Sequence, residues 1–407
     1  MESRSPKAGR RAAARAPRRE TPPPPGTPLR IGLIGQKFMG KAHSNAWSQA
    51  GRFFDLPRAV ELTTIAARDG ASLGAFARRF GWKQHTADWR ELARDPEIDL
   101  VDVGTPNDVH REQALAMLEA GKHVACEKPL AGTLDDARAM RDAARKAGKR
   151  ARTFVWFNYR RAPAVALAWQ LLRENRLGKL VHVRAHYLQG WGGAGTPMSW
   201  RFQKKLAGSG AHGDLNAHIV DLARFLTGEE VTTIHGAHSR TFVKRRAVAG
   251  TSRTAASDVD DCVSFLASFR GGATAVFEAT RLAPGHFNDN HIEVNGEHGS
   301  LRFSFEDMNL LEYYDGREPR RLQGWKRIQC TFGDAHPYAA HWWPEGHVLG
   351  YEHGFVNQAA DIVRALSGAK PEVPLPDFED AYETQRVLEA ALVSAANRTA
   401  IPLSQIP

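Results

Sequence analysis

Short apolar segments alternate with helical patterns over residues 29–157, and this alternation is the feature that most restricts the fold. Strands are predicted at 29–34, 62–67, 100–103, 123–126 and 152–157. Helices are predicted at 39–49, at 71–80, in the segment that ends at residue 120, and at 134–147. Because repeated strand–helix units joined by short turns form a parallel sheet with helices on both faces, residues 29–152 are predicted as an α/β domain.

The pattern changes after about residue 160, where strands follow one another more directly. Helices are predicted at 164–174, 214–226 and 378–397, and strands at 180–188, 231–242, 260–269, 273–281, 290–295 and 300–304. Glycine-rich turns such as Arg270-Gly271-Gly272 favour a large, mostly antiparallel sheet with helices on one face and the other face open. Residues 153–407 are therefore predicted as an α+β domain. The last helix is a candidate to pack back on the N-terminal domain.

The first 28 residues differ in composition from the rest of the chain. They contain seven Lys and Arg residues, two Glu residues and seven of the 22 prolines. Because such a segment cannot bury enough apolar surface to order itself, it is predicted as a disordered tail. Arg10-Arg11 would suit an export signal, but no apolar segment follows it. A weak nucleic-acid-binding arm, a dispensable extension and a mis-assigned start codon are the other interpretations.

Net charge and cysteine content restrict the partners and the compartment. The chain carries +10, and the tail accounts for +5 of it (seven minus two), so the other 379 residues carry +5. This distribution predicts no nucleic-acid partner, and no apolar run is long enough to predict a membrane span. Cys126, Cys262 and Cys330 are too few for a disulfide framework and predict a reducing, cytoplasmic location.

The turn after the first strand bears on nucleotide binding. Residues 31–40 read Ile-Gly-Leu-Ile-Gly-Gln-Lys-Phe-Met-Gly, whereas the fingerprint G-x-G-x-x-G would need glycine at positions 35, 37 and 40. Lys37 removes space for a pyrophosphate but adds a cation near a helix N-terminus that favours anions. By itself the turn leaves open a cofactor site with one substitution or a chance run of glycines. Its candidate cofactor residues are Gly35, Lys37, Phe38, Met39 and Gly40.

The end of the second strand bears on which cofactor would bind. An acidic residue there usually binds the ribose of NAD, whereas a nearby Arg suits the 2′-phosphate of NADP. This strand ends Ala67-Arg68-Asp69. Arg68 slightly favours NADP; the alternative is that Asp69 binds the ribose of NAD while Arg68 is solvated.

Two more turns follow parallel strands at their carboxyl ends, where open α/β sheets bind ligands. The first reads Gly-Thr-Pro-Asn at residues 104–107, with His110 beyond it, and the second reads Glu127-Lys128-Pro129. A lysine held between an acid and a proline at such a place is a candidate site residue. The alternative is an ordinary surface lysine in a turn.

Asp214 and His218 lie four residues apart on a predicted helix that follows a glycine-rich segment. At this spacing the two side chains share one face, and a histidine beside a carboxylate suits acid–base chemistry. The alternative is a polar outer stripe of the helix. No third ligand stands at a suitable spacing, so no metal site is predicted.

Together these segments resemble the Gfo/Idh/MocA family, the glucose–fructose oxidoreductase and inositol dehydrogenase group. The resemblance covers residues 29–400, and Glu-Lys-Pro with Asp-x-x-x-His is its most specific part. The matching residues, in chain order, are Gly35, Met39, Gly40, His43, Thr105-Pro106-Asn107, His110, Glu127-Lys128-Pro129, Asn158-Tyr159-Arg160-Arg161, Pro163, Trp200-Arg201, Gly208, Gly210, Asp214, His218, Val294-Asn295-Gly296, Gly299-Ser300-Leu301 and Gly350-Tyr351-Glu352-His353.

The resemblance implies a Rossmann-type domain and an NAD(P)-dependent enzyme that transfers hydride between nicotinamide and a secondary alcohol or ketone of a sugar, glycoside or cyclitol. It implies that Lys128 stabilises alkoxide character and that His218 takes the hydroxyl proton, while Asp214 orients His218 or binds a neighbouring hydroxyl. A cis bond before Pro129 is family-typical. The residues implied to contact the cofactor are Thr105, Asn107, His110, Glu127, Lys128, Trp200 and Arg201.

The residues that would contact the substrate are predicted from aromatic and polar side chains, which suit the faces and hydroxyls of a pyranose ring. They are Tyr159, Trp191, Asn288, Trp342, Trp343 and His347. The resemblance also implies a homodimer or homotetramer that covers the open sheet of the second domain. The alternatives are a non-catalytic NAD(P)-binding regulator, or a hydrolase or reductase of another substrate on the same scaffold.

Overall fold

The computed structural model describes residues 26–407. The tail predicted at 1–28 therefore lies outside the described residues, except for its last three positions. Within residues 26–407, no helix has the length and apolar character needed to cross a membrane.

The N-terminal domain is a parallel sheet with helices between its strands. Its strands are β1 Leu29–Ile34, β2 Val60–Ala66, β3 Gln84–Thr86, β4 Leu100–Val103, β5 His123–Cys126 and β6 Thr153–Val155. Its helices are α1 Phe38–Phe53, α2 Gly70–Phe80, α3 Arg90–Arg94, α4 His110–Glu119 and α5 Leu134–Ala147. All strand pairs are parallel, in the order β3-β2-β1-β4-β5-β6. This order reverses beside β1, which places a ligand crevice at the carboxyl ends of β1 and β4.

The second domain contains a nine-stranded mixed sheet with helices on one side. Its helices are α6 Pro163–Arg173, α7 Lys204–Ala207, α8 Ala217–Thr227, α9 Tyr351–Leu366 and α10 Phe378–Asn397. Its strands are β7 Leu180–Leu188, β8 Val231–Arg240, β9 Arg245–Ala247, β10 Thr254–Ala256, β11 Cys262–Phe269, β12 Thr274–Thr280, β13 Asp289–Gly296, β14 Gly299–Ser304, β15 Leu310–Asp315, β16 Lys326–Gln329 and β17 Ile401–Pro402. The order is β16-β15-β14-β13-β7-β12-β11-β8-β17, with only β7 and β12 parallel, and β9 pairs with β10 separately.

The predicted fold class is confirmed, with three local differences. The N-terminal sheet continues through β6, so the boundary at 152 is placed too early: β6 pairs with β5 in the same sheet. The helix predicted at 214–226 begins instead with a π-helical turn, His212–Asn216, before α8. Helix α9 was not predicted from the sequence, although its buried apolar residues recur at helical spacing; the polar Asn357 and Asp361 are buried in it as well.

Helices α9 and α10 join the two domains. Gln358 on α9 donates a hydrogen bond of 2.7 Å to the backbone oxygen of Val155 in β6. At the start of α10, Glu379 accepts from Arg145 on α5 at 2.6 Å. The start of the last helix therefore contacts the N-terminal domain, and the two domains hold the crevice between them.

Candidate active site

A cavity of about 580 Å³ lies where the carboxyl ends of the parallel strands meet the second domain. The N-terminal domain contributes residues from the turns after β1, β4 and β5. The second domain contributes the helical segments around 200 and 214–218, together with the carboxyl ends of the central strands β7 and β12. The lining residues predicted from sequence are Phe38, Met39, Thr105, Asn107, Glu127, Lys128, Tyr159, Trp191, Trp200, Arg201, Asp214, His218 and Asn288.

The turn after β1 has the close backbone packing that a dinucleotide site requires. Gly35 has a φ of +121°, and a Cβ atom there would lie 2.6 Å from the backbone oxygen of Gly104. A Cβ on Gly40 would lie 2.4 Å from the backbone oxygen of Gly35. The first and third glycines of the fingerprint are therefore required sterically, and the turn leads into the N-terminus of α1 as in known dinucleotide sites. These residues fit an NAD(P) pyrophosphate.

Lys37 occupies the middle position of that fingerprint without backbone strain. Its φ is −78°, a value open to any residue, and its side chain is 85% exposed. The ammonium lies 3.9 Å from the carboxylate of Asp69, beyond the end of β2. Lys37 thus extends along the surface toward the position where the adenosine ribose would lie, rather than into the cavity.

Asp69 and Arg68 are both exposed at the end of β2. Asp69 accepts a hydrogen bond of 2.8 Å from the Ser72 hydroxyl, which lowers the pKa of the Asp69 carboxyl, and Lys37 acts in the same direction. The carboxylate is therefore ionised and available to ribose hydroxyls. Arg68 does not line the cavity.

Lys128, Asp214 and Arg281 form a charged group in the cavity wall. The Lys128 ammonium donates to Asp214 Oδ1 at 2.8 Å and to the Asp214 backbone oxygen at 3.1 Å. Arg281 donates to the other carboxylate oxygen at 2.7 Å. Burial by itself would raise the pKa of Asp214, but Lys128 and Arg281 outweigh burial and hold it well below its usual range. Asp214 is thus an anion between two cations.

His218 faces the same cavity from α8 and is almost fully buried. Burial, assisted by the nearby Lys128 charge, holds the pKa of His218 well below its usual range. Its ring lies 4.5 Å, centre to centre, from that of Tyr159, and within residues 26–407 its nitrogens make no protein hydrogen bond. The predicted orientation of His218 by Asp214 is absent, because the π-helical turn changes the angular spacing and both Asp214 oxygens bind cations.

His43 lies beneath the cavity in a buried network that fixes Glu127. Its Nδ1 is 3.0 Å from Asp102 Oδ1, and its Nε2 is 2.9 Å from Glu127 Oε1. Trp47 and Trp156 donate their indole N–H groups to the two oxygens of Asp102. Although burial lowers the pKa of His43, the two carboxylates more than reverse this and raise it to about 9. The imidazolium therefore ties α1 to the ends of β4 and β5.

A chain of hydrogen bonds links the side chains of the cavity wall that contains Asn288. The hydroxyls of Tyr159 and Tyr187 are 2.8 Å apart, and Tyr187 donates to the Asn288 side-chain oxygen at 2.6 Å. Gln189 donates to the same oxygen at 2.8 Å, and Trp191 in turn donates to Gln189. Burial raises the pKa of Tyr159 to about 12, so this phenol remains protonated. Tyr159, Trp191 and Asn288 thus lie together, as the sequence predicted.

Among the predicted residues outside the turns after β1 and β2, four do not line the cavity. His110 is buried and bonds the backbone oxygens of Thr105 and Leu130, so it holds two turns together instead of facing a ligand. Trp342 packs against Phe53, with Trp343 beside it, and neither lines the cavity. His347 is exposed and bonds the backbone of its own loop. A cluster of aromatic residues in the sequence does not predict a place in the cavity here, because this loop packs on α1.

Some residues that line the cavity were not predicted from the sequence. Arg281 follows a strand without any recognisable motif, and its role depends on contact with the distant Asp214. Tyr351 and Phe355 enter from α9, the helix that the pattern did not predict. The match at Gly350-Tyr351-Glu352-His353 was the one signal that could have identified Tyr351.

Comparisons with known proteins agree with this site. A family model described as an oxidoreductase family with an NAD-binding Rossmann fold matches residues 29–155, and a GFO/IDH/MocA C-terminal domain model matches residues 165–302. Levoglucosan dehydrogenase of Pseudarthrobacter phenanthrenivorans is 37% identical over 392 residues, covering 93% of this chain and 99% of the relative.

Solved structures give the same result. An oxidoreductase domain protein from Kribbella flavida is 49% identical with a TM-score of 0.89, covering 94% of this chain and 100% of that one. Levoglucosan dehydrogenase in complex with NADH and levoglucosan is 37% identical with a TM-score of 0.87, covering 93% and 100%. The fold and the cavity define an NAD(P)-dependent oxidoreductase. More narrowly, the chain belongs to the Gfo/Idh/MocA family.

Proposed function

We propose that this enzyme oxidises a secondary hydroxyl group of a pyranose sugar, with a 1,6-anhydrohexose as the leading candidate and NAD⁺ as the hydride acceptor. The observation that carries the proposal is the meeting of Lys128, Asp214 and His218 in one cavity, beside a phenol–amide network. Levoglucosan, a 1,6-anhydrohexose, is bound in the structure of a relative that this chain matches over almost its whole length.

The cofactor would lie along the turn after β1 and enter the cavity beside Met39, Thr105 and Glu127. When bound, nicotinamide supplies the carbon that accepts the hydride. Asn107 donates to the backbone oxygen of Ala207 at 2.9 Å and so holds the two walls of this groove together. Trp200 and Arg201 line the second-domain side, where the Arg201 guanidinium stacks 4.6 Å from the indole ring.

Lys128 would act on the reacting oxygen. An ammonium group has three protons, and two of those on Lys128 are directed at the oxygens of Asp214. The third is free to bind the substrate hydroxyl. As negative charge develops on that oxygen, the ammonium stabilises it at a largely buried position, where such interactions are stronger than in bulk water.

His218 would accept the hydroxyl proton. Its depressed pKa keeps the imidazole neutral at physiological pH, so a nitrogen lone pair is available. Tyr159 and Tyr187 pack around the ring and orient it by contact, in place of the expected carboxylate. The buried phenol of Tyr159 remains protonated and is a donor, not a competing base.

The substrate class follows from the remaining wall. Tyr159, Asn288 and Gln189 offer neutral donors and acceptors that match sugar hydroxyls, and the Trp191 ring can cover an apolar sugar face. The two cations nearest the reaction share the Asp214 carboxylate, which offsets the attraction for a strongly anionic substrate. An uncharged polyol therefore fits better than a phosphorylated sugar.

NAD is proposed over NADP. The slight preference for NADP that Arg68 suggested finds no support in the solved complexes of levoglucosan dehydrogenase, which contain NADH. Asp69 is an exposed, ionised carboxylate, which suits ribose hydroxyls and repels a 2′-phosphate.

A turnover assay tests the function. The purified chain would be incubated with NAD⁺ or NADP⁺ and a panel of levoglucosan, methyl glucoside and myo-inositol while absorbance at 340 nm is followed. We expect the highest kcat/KM with levoglucosan and NAD⁺, and a strongly reduced kcat/KM in the His218→Gln variant. Absence of turnover with every sugar, in protein that binds NADH, would exclude the proposal.

Association of copies through the open sheet is proposed for the second domain. Leu266 on β11 and Val276 on β12 are register partners on this face and are 51% and 38% exposed. An apolar pair so placed gains from contact with a second copy. Light scattering with Leu266→Glu tests this: a smaller assembly is expected, and an unchanged mass contradicts it.

The unpaired Cys126, Cys262 and Cys330 support a reducing, cytoplasmic location.

A further inference from the structure

Three side chains with metal-binding atoms meet on the large sheet, away from the active-site cavity. His186 on β7 and His291 on β13 are register partners of adjacent antiparallel strands. Asp289 lies two residues before His291, so its side chain is on the same face of β13. The neighbours Ala185 and Tyr187 are buried, whereas His186 is partly exposed. The group thus lies on the open face of the sheet.

The ligand atoms of this group are close enough to share one ion. One nitrogen from each histidine and one oxygen from Asp289 all lie within 4.8 Å of each other. His186 Nε2 and Asp289 Oδ2 are 3.2 Å apart. Two ligands of a tetrahedral zinc ion, each about 2.0–2.1 Å from the metal, are about 3.3 Å apart. The other two distances between ligand atoms are at most 4.8 Å, and rotation of the partly exposed histidine rings can shorten them.

The surroundings of the group also suit a bound metal ion. The two imidazole rings stack 4.9 Å apart with an angle of 8° between their planes. His286 lies 2.8 Å from the Asp289 carboxylate and orients it from outside the group.

We propose that His186, Asp289 and His291 bind a divalent cation of the zinc class on the open face of the large sheet. Two imidazoles and a carboxylate, with solvent at the fourth position, are a donor set that zinc accepts in proteins. The site lies next to Asn288, so the ion would fix the start of β13 at the edge of the active-site cavity.

Residue spacing did not indicate this site. His186 and His291 are more than 100 residues apart, and each stands in an ordinary strand pattern. They meet because β7 and β13 pair antiparallel in this register. A shift of one residue would place one of the two rings on the opposite face.

Zinc titration of the metal-stripped chain, prepared without a polyhistidine tag, tests the proposal. Zn²⁺ would compete with a chromophoric chelator, and one tight ion per chain is expected. His186→Gln and His291→Gln should each weaken binding by more than about tenfold. His238→Gln is the matched control, because His238 lies in the same row of the open face through Ser264 and Glu278 and belongs to no metal group within residues 26–407.

Two outcomes would overturn the site: no stoichiometric Zn²⁺ binding by the wild-type chain, or equal binding by the His186, His291 and His238 variants. Thermal unfolding without metal checks that the variants fold. In the presence of Zn²⁺, the unfolding temperature should rise for the wild-type and His238→Gln chains and stay unchanged for the other two. Sugar turnover is not part of the measurement, so failure of the proposed activity does not affect this result.

Discussion

The Lys128 ammonium is anchored twice by Asp214, 2.8 Å from its carboxylate and 3.1 Å from its backbone oxygen. The second carboxylate oxygen binds Arg281 at 2.7 Å. Asp214 therefore fixes the position of the lysine and offsets part of the positive charge beside the reacting oxygen. This arrangement links the turn after β5 to the second domain, and catalysis should depend on it.

Replacing Asp214 by Asn should impair turnover more than cofactor binding. The amide keeps the size of the side chain but removes the charge that holds Lys128 and Arg281 together. We expect kcat to fall by roughly 100-fold or more, the scale of a lost electrostatic contact in a transition state. Steady-state kinetics and NADH fluorescence titration would measure the two effects. Equal losses in both would point to a folding defect instead.

His218→Gln should reduce kcat by about 10²–10⁴-fold, the usual contribution of a general base. In the wild-type enzyme the pKa of His218 lies well below its usual range, so the base is neutral at pH 6.5 and above and becomes protonated only in more acidic solution. The wild-type rate should therefore fall at acid pH, and that decline should vanish in the variant. A pH–rate profile that is the same for both enzymes would remove His218 from this role.

His43 should make folding stability fall as the solution becomes alkaline. Its folded pKa is about 9, above the ordinary value near 6.5, so its stabilisation is complete below pH 6.5 and is lost as pH rises through 9. A shift of this size corresponds to on the order of 3 kcal/mol. Denaturant unfolding of the wild type at pH 6.5 and pH 9 should show this loss, and His43→Gln should not.

His110→Gln is the control for that measurement. His110 is equally buried, but burial lowers its pKa, so any effect of its protonation on stability falls at acid pH. The loss between pH 6.5 and pH 9 should persist in His110→Gln. If this loss of stability vanished in His110→Gln too, deprotonation of His43 would not be its cause.

Asp69→Ser should shift the enzyme toward NADP. Removing the carboxylate leaves Arg68 and Lys37 as cations at the end of β2, and both would attract a 2′-phosphate. We expect the ratio of kcat/KM for NADP⁺ to that for NAD⁺ to rise at least about tenfold, because such carboxylates discriminate against the phosphate. Arg68→Ala should leave NAD⁺ kinetics near wild type. An unchanged ratio in Asp69→Ser would place the ribose elsewhere.

Gly40→Ala should weaken both cofactor binding and stability. Its Cβ would lie 2.4 Å from the backbone oxygen of Gly35, so the turn after β1 must open, at a cost of about 1–3 kcal/mol. Gly51→Ala on the same helix has free space around the new methyl group and should stabilise the chain by up to about 1 kcal/mol. Thermal unfolding and NADH titration of both variants would show opposite signs for stability.

The local pattern of the sequence was sufficient to predict most elements, and the resemblance to a known family predicted the class of enzyme. Strands such as β1 and helices such as α5 and α10 have the predicted bounds, because hydrophobic periodicity and turn residues are local properties. Lys128 and His218 were identifiable because each stands in a short motif beside a turn or helix start. The fingerprint with Lys37 in its middle position is now explained: its first and third glycines meet backbone, whereas the middle position has an ordinary φ.

Only the tertiary structure decided which side chains meet across the chain. Asp214 lies four residues from His218 in sequence, yet its carboxylate binds Lys128 and Arg281, 86 and 67 residues away. Trp342 and His347 were expected at the substrate and lie on a loop packed elsewhere. The pairing of His186 with His291 depends on strand register across the sheet. Such contacts follow from how distant elements pack, and no local spacing in the chain encodes them.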